Sequence, residues 1–284
     1  RIFMPIRGEE NVGQWLVANS LSKPYFGSKF SSVFPENLKK ELPSTISKIS
    51  LYSAETGELQ ALIDANYLTA IKTGGSAAVA TDLMARKDAA HLCIIGTGLQ
   101  AYSQVLAIQE VRDLEYVFVY DIDSDRVRQF IEMISEIKNR DYQIIAATSA
   151  DEAVAKSDII CTCTTSLTPV FSSKALKAGS HINAIGSFTS FMQEIDTDTV
   201  LCSEKIITEH MEGLWEAAGD ILIPYDQGLF GKEKVTGSVG EVLVGQQSAR
   251  ENDQEITLYE SVGSGVLDIG LTISLYEKIL AEGV

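Results

Sequence analysis

Residues 92–121 read LCIIGTGLQAYSQVLAIQEVRDLEYVFVYD, and this stretch decides the fold. An apolar run at 92–95 leads into Gly96, Gly98 and Ala101, spaced G-x-G-x-x-A. A helical stretch opens at Leu99, and a second apolar run, Tyr116–Tyr120, ends in Asp121. The first glycine permits a tight turn. The second lets backbone approach a pyrophosphate, and the small third residue lets the helix pack close to the sheet. The helix then points its free N–H groups and partial positive charge at that phosphate. Asp121 stands twenty residues past Ala101, where a carboxylate binds the adenosine ribose hydroxyls. Strand, glycine turn, helix, strand and acid stand in the order of a dinucleotide-binding unit.

The same acid selects between dinucleotides. A carboxylate at Asp121 repels a 2′-phosphate, so NADH is the expected cofactor in preference to NADPH. Arg126 and Arg128 can offset that charge and leave NADP open. Asp123 and Asp125 are expected to cap the helix that begins near Ser124.

Composition sets the outer bounds. The 284 residues suffice for two domains or one large α/β unit, and 45% hydrophobic content suits an ordinary globular core. A formal net charge of −16 argues against nucleic acid or an acidic membrane as partner. With no apolar run near 18 residues, neither a membrane span nor a secretory signal is expected. The chain opens at Arg1 without a methionine, which leaves room for an upstream segment. Cys93, Cys161, Cys163 and Cys202 all fall in strand-like apolar contexts. C-x-C can bind metal, but no histidine or second pair has ligand spacing, so buried reduced thiols in a cytoplasmic protein are expected.

Residues 1–6, 15–19, 27–34, Thr45–Ser53 and 59–63 read as strands, with a hairpin-type turn at Glu55-Thr56-Gly57. Helical periodicity takes over at 66–85. Past Asp121 the pattern alternates: helix 124–139, strand 142–146, helix 149–156 and strand 158–163. Further strands fall at 181–185 and Lys205–Thr208, and 267–281 is an amphipathic helix. The expected fold is α/β, a Rossmann-type doubly wound parallel sheet.

More than a generic dinucleotide fold is written here. Gly27-Ser28-Lys29 with Val33-Phe34-Pro35-Glu36-Asn37 resembles the G-x-K…F-P-x-N segment of the ornithine cyclodeaminase/mu-crystallin family. So do Leu68-Thr69-Ala70-Ile71-Lys72-Thr73, the turn Gly96-Thr97-Gly98-Leu99-Gln100-Ala101, and Thr164-Thr165-Ser166. Residues 179–187 (GSHINAIGS), Gly219-Asp220 and Ser261-Val262-Gly263 follow in family order. The resemblance runs nearly end to end. It implies a smaller α+β substrate-binding and dimerisation domain, residues 1–72 with 264–284, beside a dinucleotide-binding domain at 73–263. It also implies a homodimer. Family activities include ornithine cyclodeamination, alanine dehydrogenation and reduction of cyclic ketimine acids such as 1-pyrroline-2-carboxylate. All pass through an imine at the α-carbon.

An α-imino acid offers a carboxylate to anchor and a carbon to hold near nicotinamide C4. By resemblance Lys29 is the family lysine at the substrate, and Arg1 the arginine that grips the substrate carboxylate through two parallel hydrogen bonds. The plain alternatives are an edge-strand surface lysine and a frayed chain end. Lys72 stands where many members carry arginine; it keeps the charge and loses the planar fork. The resemblance assigns the cofactor to Thr73, Gly96, Thr97, Gly98, Leu99, Gln100 and Asp121. Thr164 and Thr165, then Asn183, Ile185 and Gly186, then Ser261 and Gly263 complete that set. No metal is expected. His181 starts a strand, the wrong edge for a ligand, while His210 can face the cleft.

One departure narrows the chemistry. Ornithine cyclodeaminases carry an aspartate just past the N-A-x-G segment, where this chain has Phe188. Phenylalanine takes no proton and activates no amine. The expected function is therefore NAD(P)H-dependent reduction of a small α-imino acid, or the reverse dehydrogenation of an amino acid. A cyclodeaminating lyase with catalytic NAD and a non-catalytic binder of mu-crystallin type are the alternatives.

Overall fold

A computed structural model of the chain describes residues 1–7, 11–40, 42, 43 and 45–283. Two-residue alternation organises the first third. β1 (Ile2–Pro5), β2 (Val12–Asn19), β3 (Tyr25–Val33), β4 (Thr45–Ser53) and β5 (Leu59–Asp64) pair in sequence order as an antiparallel sheet. The period then turns helical in α1 (Asn66–Met84).

Strands and helices alternate from there. β6 (His91–Ile95), α2 (Leu99–Ile108), β7 (Tyr116–Tyr120) and α3 (Ser124–Ile137) come first. β8 (Gln143–Ala146), α4 (Ala150–Lys156), β9 (Ile159–Thr162) and β10 (His181–Ala184) follow. Next come α5 (Thr197–Cys202), β11 (Lys205–Thr208), α6 (Met211–Ala217) and α7 (Gly219–Asp226). β12 (Gly237–Ser238), α8 (Val239–Leu243), β13 (Thr257–Glu260) and α9 (Gly265–Glu282) close the order. The eight later strands form one parallel sheet in the order β12-β11-β13-β10-β9-β6-β7-β8. β6 sits inside that sheet, so the glycine turn leaves it beside the ends of β7 and β9.

Two compact units result, Arg1–Lys72 with Ser264–Val284, and Thr73–Gly263. In the first, α9 covers one sheet face through Ile269 and Ile273, which pack with Ile49, Leu51 and Ala65. In the second, Ile95, Ile160, Ile182, Ile206 and Leu258 line one sheet face, while Met84, Ile207 and Tyr259 belong to a separate cluster. Each nearly continuous apolar strand is thereby buried on both sides, as a parallel sheet requires. Asp123 caps α3 by accepting from the N–H groups of Asp125 and Arg126, while Asp125 pairs with Arg128. Cys202 departs from its expected strand: it ends α5 and is exposed, whereas Cys93 and Cys161 are buried in strands. Among the described residues no helix is long and apolar enough to cross a membrane.

Candidate functional site

The glycine turn has the geometry its spacing demands. Gly96 has φ +88°, and a side chain there would meet the Cys163 carbonyl at 2.8 Å, so both turn and close packing need glycine. Gly98 precedes α2 and faces open space, with nothing within 4 Å of an added Cβ. Ser149 and Asp196 cap α4 and α5 with their own side chains, whereas Gly98 offers α2 none. Ala101 donates its N–H to the Gly98 carbonyl at 3.1 Å, and with no side-chain cap ahead of it the start of α2 suits an anion. Ala101 is fully buried, which seats the helix on the sheet.

Asp121 does more than end β7. One carboxylate oxygen accepts from the Thr97 N–H (2.9 Å) and hydroxyl (2.8 Å), and the other accepts from the Asp123 N–H (3.1 Å). Burial works to raise its pKa, but these hydrogen bonds outweigh it and hold the carboxyl below its ordinary value. An ionised Asp121 therefore staples the glycine turn to the end of the neighbouring strand. Leu99 is exposed, while Thr97 and Gln100 are half-buried beside it.

Two glutamates brace the loops at the carboxyl edge of the sheet. Glu194 is fully buried and accepts from the Thr162 hydroxyl (2.9 Å), the Thr164 N–H (2.5 Å) and the Gly186 N–H (2.6 Å). It ties the loop carrying Thr164 and Thr165 to the one carrying Ile185 and Gly186. Glu209 accepts from the Gly263 N–H (2.6 Å) and the Ser261 hydroxyl (3.2 Å), fixing the turn after β13. Thr73, in α1, is 8% exposed.

Asn183 lies in β10 and is fully buried. Its side chain lies in the core, donating to Thr81 Oγ1 at 3.0 Å, with His181 Nε2 at 3.2 Å from its carbonyl oxygen. In β10 it alternates onto the sheet face covered by α1, and its polar groups are spent there. Burial, followed by the Arg250 charge, pushes His181 down to about 3, so this imidazole is neutral. His210 caps α6, its Nδ1 accepting from the Gly213 N–H at 2.9 Å.

Asp220 supports the Glu194 loop by accepting from the N–H groups of Glu194 (2.7 Å) and Ile195 (2.9 Å). Burial, and behind it the Glu194 charge, push its carboxyl up to about 7. A carboxyl raised in the folded state contributes stability at acid pH and loses it as pH climbs through that value. Asp220→Asn keeps the acceptor oxygen and cannot ionise. Its unfolding free energy is expected to fall less than that of the parent between about pH 5 and about pH 8, a relief of about 1.4 kcal/mol per unit up to about 7. Denaturant titrations across that range test it, and equal slopes would clear Asp220 of the titration.

The cationic candidates gather in the smaller unit. Lys29 lies on β3, the middle of five strands, between Leu16 of β2 and Ile49 of β4. It is 5% exposed, not an edge-strand surface lysine. Its Nζ pairs with Asp268 Oδ2 of α9 at 2.7 Å, and Lys72 Nζ lies 3.7 Å from Asp268 Oδ1. Burial and then the Lys72 charge lower the Lys29 pKa to about 8; Asp268 opposes them and Arg1 adds to them. The Arg1 guanidinium lies over the Phe3 ring, 5.9 Å from its centroid. Two ammonium groups thus share one buried carboxylate, with the Arg1 charge acting on Lys29 nearby.

Known proteins carry the same arrangement of elements. The pattern of the ornithine cyclodeaminase/mu-crystallin family matches residues 9–283. The chain belongs to that family. A Delta(1)-pyrroline-2-carboxylate reductase of Bacillus cereus is 38% identical over 282 residues, spanning 99% of this chain and 86% of the relative. The structure of Thermococcus litoralis Delta(1)-pyrroline-2-carboxylate reductase, in complex with NADH and L-proline, superposes with a TM-score of 0.95. It shares 34% identity and covers 100% of this chain and 87% of that one. An archaeal alanine dehydrogenase dimer with bound NAD has a TM-score of 0.92 and 30% identity, covering 100% and 85%.

Within this ornithine cyclodeaminase/mu-crystallin chain, three acids escaped the sequence reading: Asp268, Glu194 and Glu209. Asp268 carried a signal. It stands beside Ile269, Thr272 and Ile273 on the buried stripe of α9, and an acid on such a stripe needs a buried cation. Nothing local marks Glu194 or Glu209, whose partners are backbone N–H groups and hydroxyls of other loops and strands.

Proposed function

We propose that this protein is an NAD(P)H-dependent reductase of a small cyclic imino acid of the 1-pyrroline-2-carboxylate class, catalysing amino-acid dehydrogenation in reverse. The observation that carries the reading is the buried cluster of Lys29 and Lys72 around one carboxylate. With Arg1 it holds excess positive charge in an apolar setting, which a substrate carboxylate would balance. The Bacillus and Thermococcus relatives, named for this reduction, support the same substrate class.

Gly96, Thr97, Gly98, Leu99, Gln100 and Asp121 suit the pyrophosphate and ribose of NADH. Open space at Gly98 and the uncapped start of α2 are the features that fit. Thr73, Thr164, Thr165, Ile185, Gly186, Ser261 and Gly263 would hold the rest of the cofactor, with Glu194 and Glu209 setting the loops. NADH, when bound, supplies a hydride to the imine carbon. Arg1, Lys29 and Lys72 hold the carboxylate, which orients that carbon, and the imine nitrogen takes its one proton from water. Phe188 leaves no acid for ring-closing deamination. The test is stoichiometric: one NADH consumed per amino acid formed from 1-pyrroline-2-carboxylate, with no ammonia from ornithine. Ammonia release at catalytic NAD would overturn the reading.

Cofactor choice follows Asp121. Asp121→Ser is expected to narrow the preference for NADH over NADPH by about tenfold or more, since the repulsion is removed. NADH affinity falls as well, because Thr97 loses its staple. Initial rates with both cofactors measure this; a parent enzyme more efficient with NADPH would refute it.

The smaller unit also fits a homodimer. On the sheet face turned from α9, Ile2, Trp15, Val17, Phe26 and Leu62 are exposed together, an apolar patch of the kind that marks interaction sites. The archaeal alanine dehydrogenase dimer supports a second copy as its cover. A cytoplasmic setting suits the free thiols.

A further inference from the structure

Helix α9 brings a carboxylate to a place in the smaller unit where two ammonium groups are buried. Ile269 and Ile273 seat the helix on the sheet, and Asp268, one residue earlier, is 1% exposed. Gly27 permits that approach. A side chain there would meet the Ser50 carbonyl oxygen at 2.5 Å and Ile269 Cδ1 at 2.9 Å. The helix therefore rests against bare backbone two residues before Lys29. One oxygen of Asp268 reaches Lys29 at 2.7 Å, and the other lies 3.7 Å from the ammonium of Lys72.

We infer that Asp268 is a positioning residue: its two oxygens hold the ammonium groups of Lys29 and Lys72 separated and aimed, so that a substrate carboxylate meets a prepared anion site. This rests on Lys29 and Lys72 as the substrate anchor. The charged groups facing Lys29 are Asp268 from α9, Lys72 from α1 and Arg1 ahead of β1. Its cross-strand neighbours, Leu16 and Ile49, are apolar and screen nothing. Asp268 alone favours the charge on Lys29, while Lys72 and Arg1 oppose it. Removing Asp268 and removing Lys72 must therefore move the Lys29 titration in opposite directions. A residue that served packing alone would move neither.

The test uses the full-length chain. The Lys29 titration is followed in ligand-free protein by the ¹³C signal of its side chain, assigned through Lys29→Arg. The parent midpoint is expected at about pH 8. Asp268→Asn should lower it by about one pH unit or more, and Lys72→Met should raise it. The alkaline limb of kcat/KM for 1-pyrroline-2-carboxylate reduction should shift the same way, because a neutral Lys29 no longer binds the carboxylate. NADH affinity should stay within about twofold, and Asp268→Glu should recover part of the limb. Midpoints that stay put, or move together, overturn the inference. If Asp268→Asn fails to fold, Lys72→Met decides alone, and a midpoint that stays or falls overturns it. Opposite shifts in a protein that reduces no imino acid would support the role of Asp268 and sink the substrate reading.

Discussion

Lys29→Ala is expected to cut kcat/KM for the imino acid by about 30- to 5,000-fold while leaving NADH binding nearly intact. Losing a charged partner to a buried carboxylate costs roughly 2–5 kcal/mol. Here the loss is compounded, because Asp268 then shares its charge with Lys72 alone. Lys29→Arg should restore only part of the rate, since the guanidinium is bulkier and its fork differs in shape from an ammonium. Steady-state kinetics beside a fluorescence titration of NADH separate the two effects. Near-normal efficiency in Lys29→Ala would move the substrate site elsewhere.

Gly98→Val should have a comparable effect on the other ligand. The position has open space around it and extended backbone, φ −78° and ψ −173°, which a β-branched residue adopts without strain. The variant should fold with an unchanged melting temperature. Its side chain would then fill the space that the pyrophosphate needs at the start of α2. A rise of about 100-fold or more in the NADH Kd is expected, equivalent to about 2.7 kcal/mol. Calorimetric unfolding and direct binding test the two halves separately. Retained NADH affinity in a folded variant would dissociate the glycine turn from phosphate binding.

The parallel sheet was legible because its signals are local. Glycine spacing, the apolar runs of β6 and β7 and the acid at Asp121 all lie within thirty residues of one another. β13 was missed for an equally physical reason. Thr257-Leu258-Tyr259-Glu260 sets only two apolar residues between a threonine and a glutamate, too short a run to read as a buried strand, yet it inserts between β10 and β11 and is buried throughout. Its polar side chains find internal partners, as when Thr257 donates to the Met84 carbonyl. Asn183 is the reverse case: a polar residue near the end of β10 whose side chain finds its partners, Thr81 and His181, inside the core. Asp268 depends on a contact between the ends of the sequence, which no periodicity encodes.

That contact has a consequence for how the protein is made. On the ribosome, β1 to β5 emerge early, carrying Lys29 with them, and Lys72 follows in α1. Their shared carboxylate belongs to α9, which is synthesised only after the whole of the larger unit. Until then the two lysines have no buried anion, and the sheet face meant for Ile269 and Ile273 stands open to water and to chaperones. The smaller unit is therefore completed last, as a nascent chain leaves the tunnel with its other unit already able to fold. A premature stop anywhere before Gly265 leaves that early sheet half-covered, a substrate for quality control.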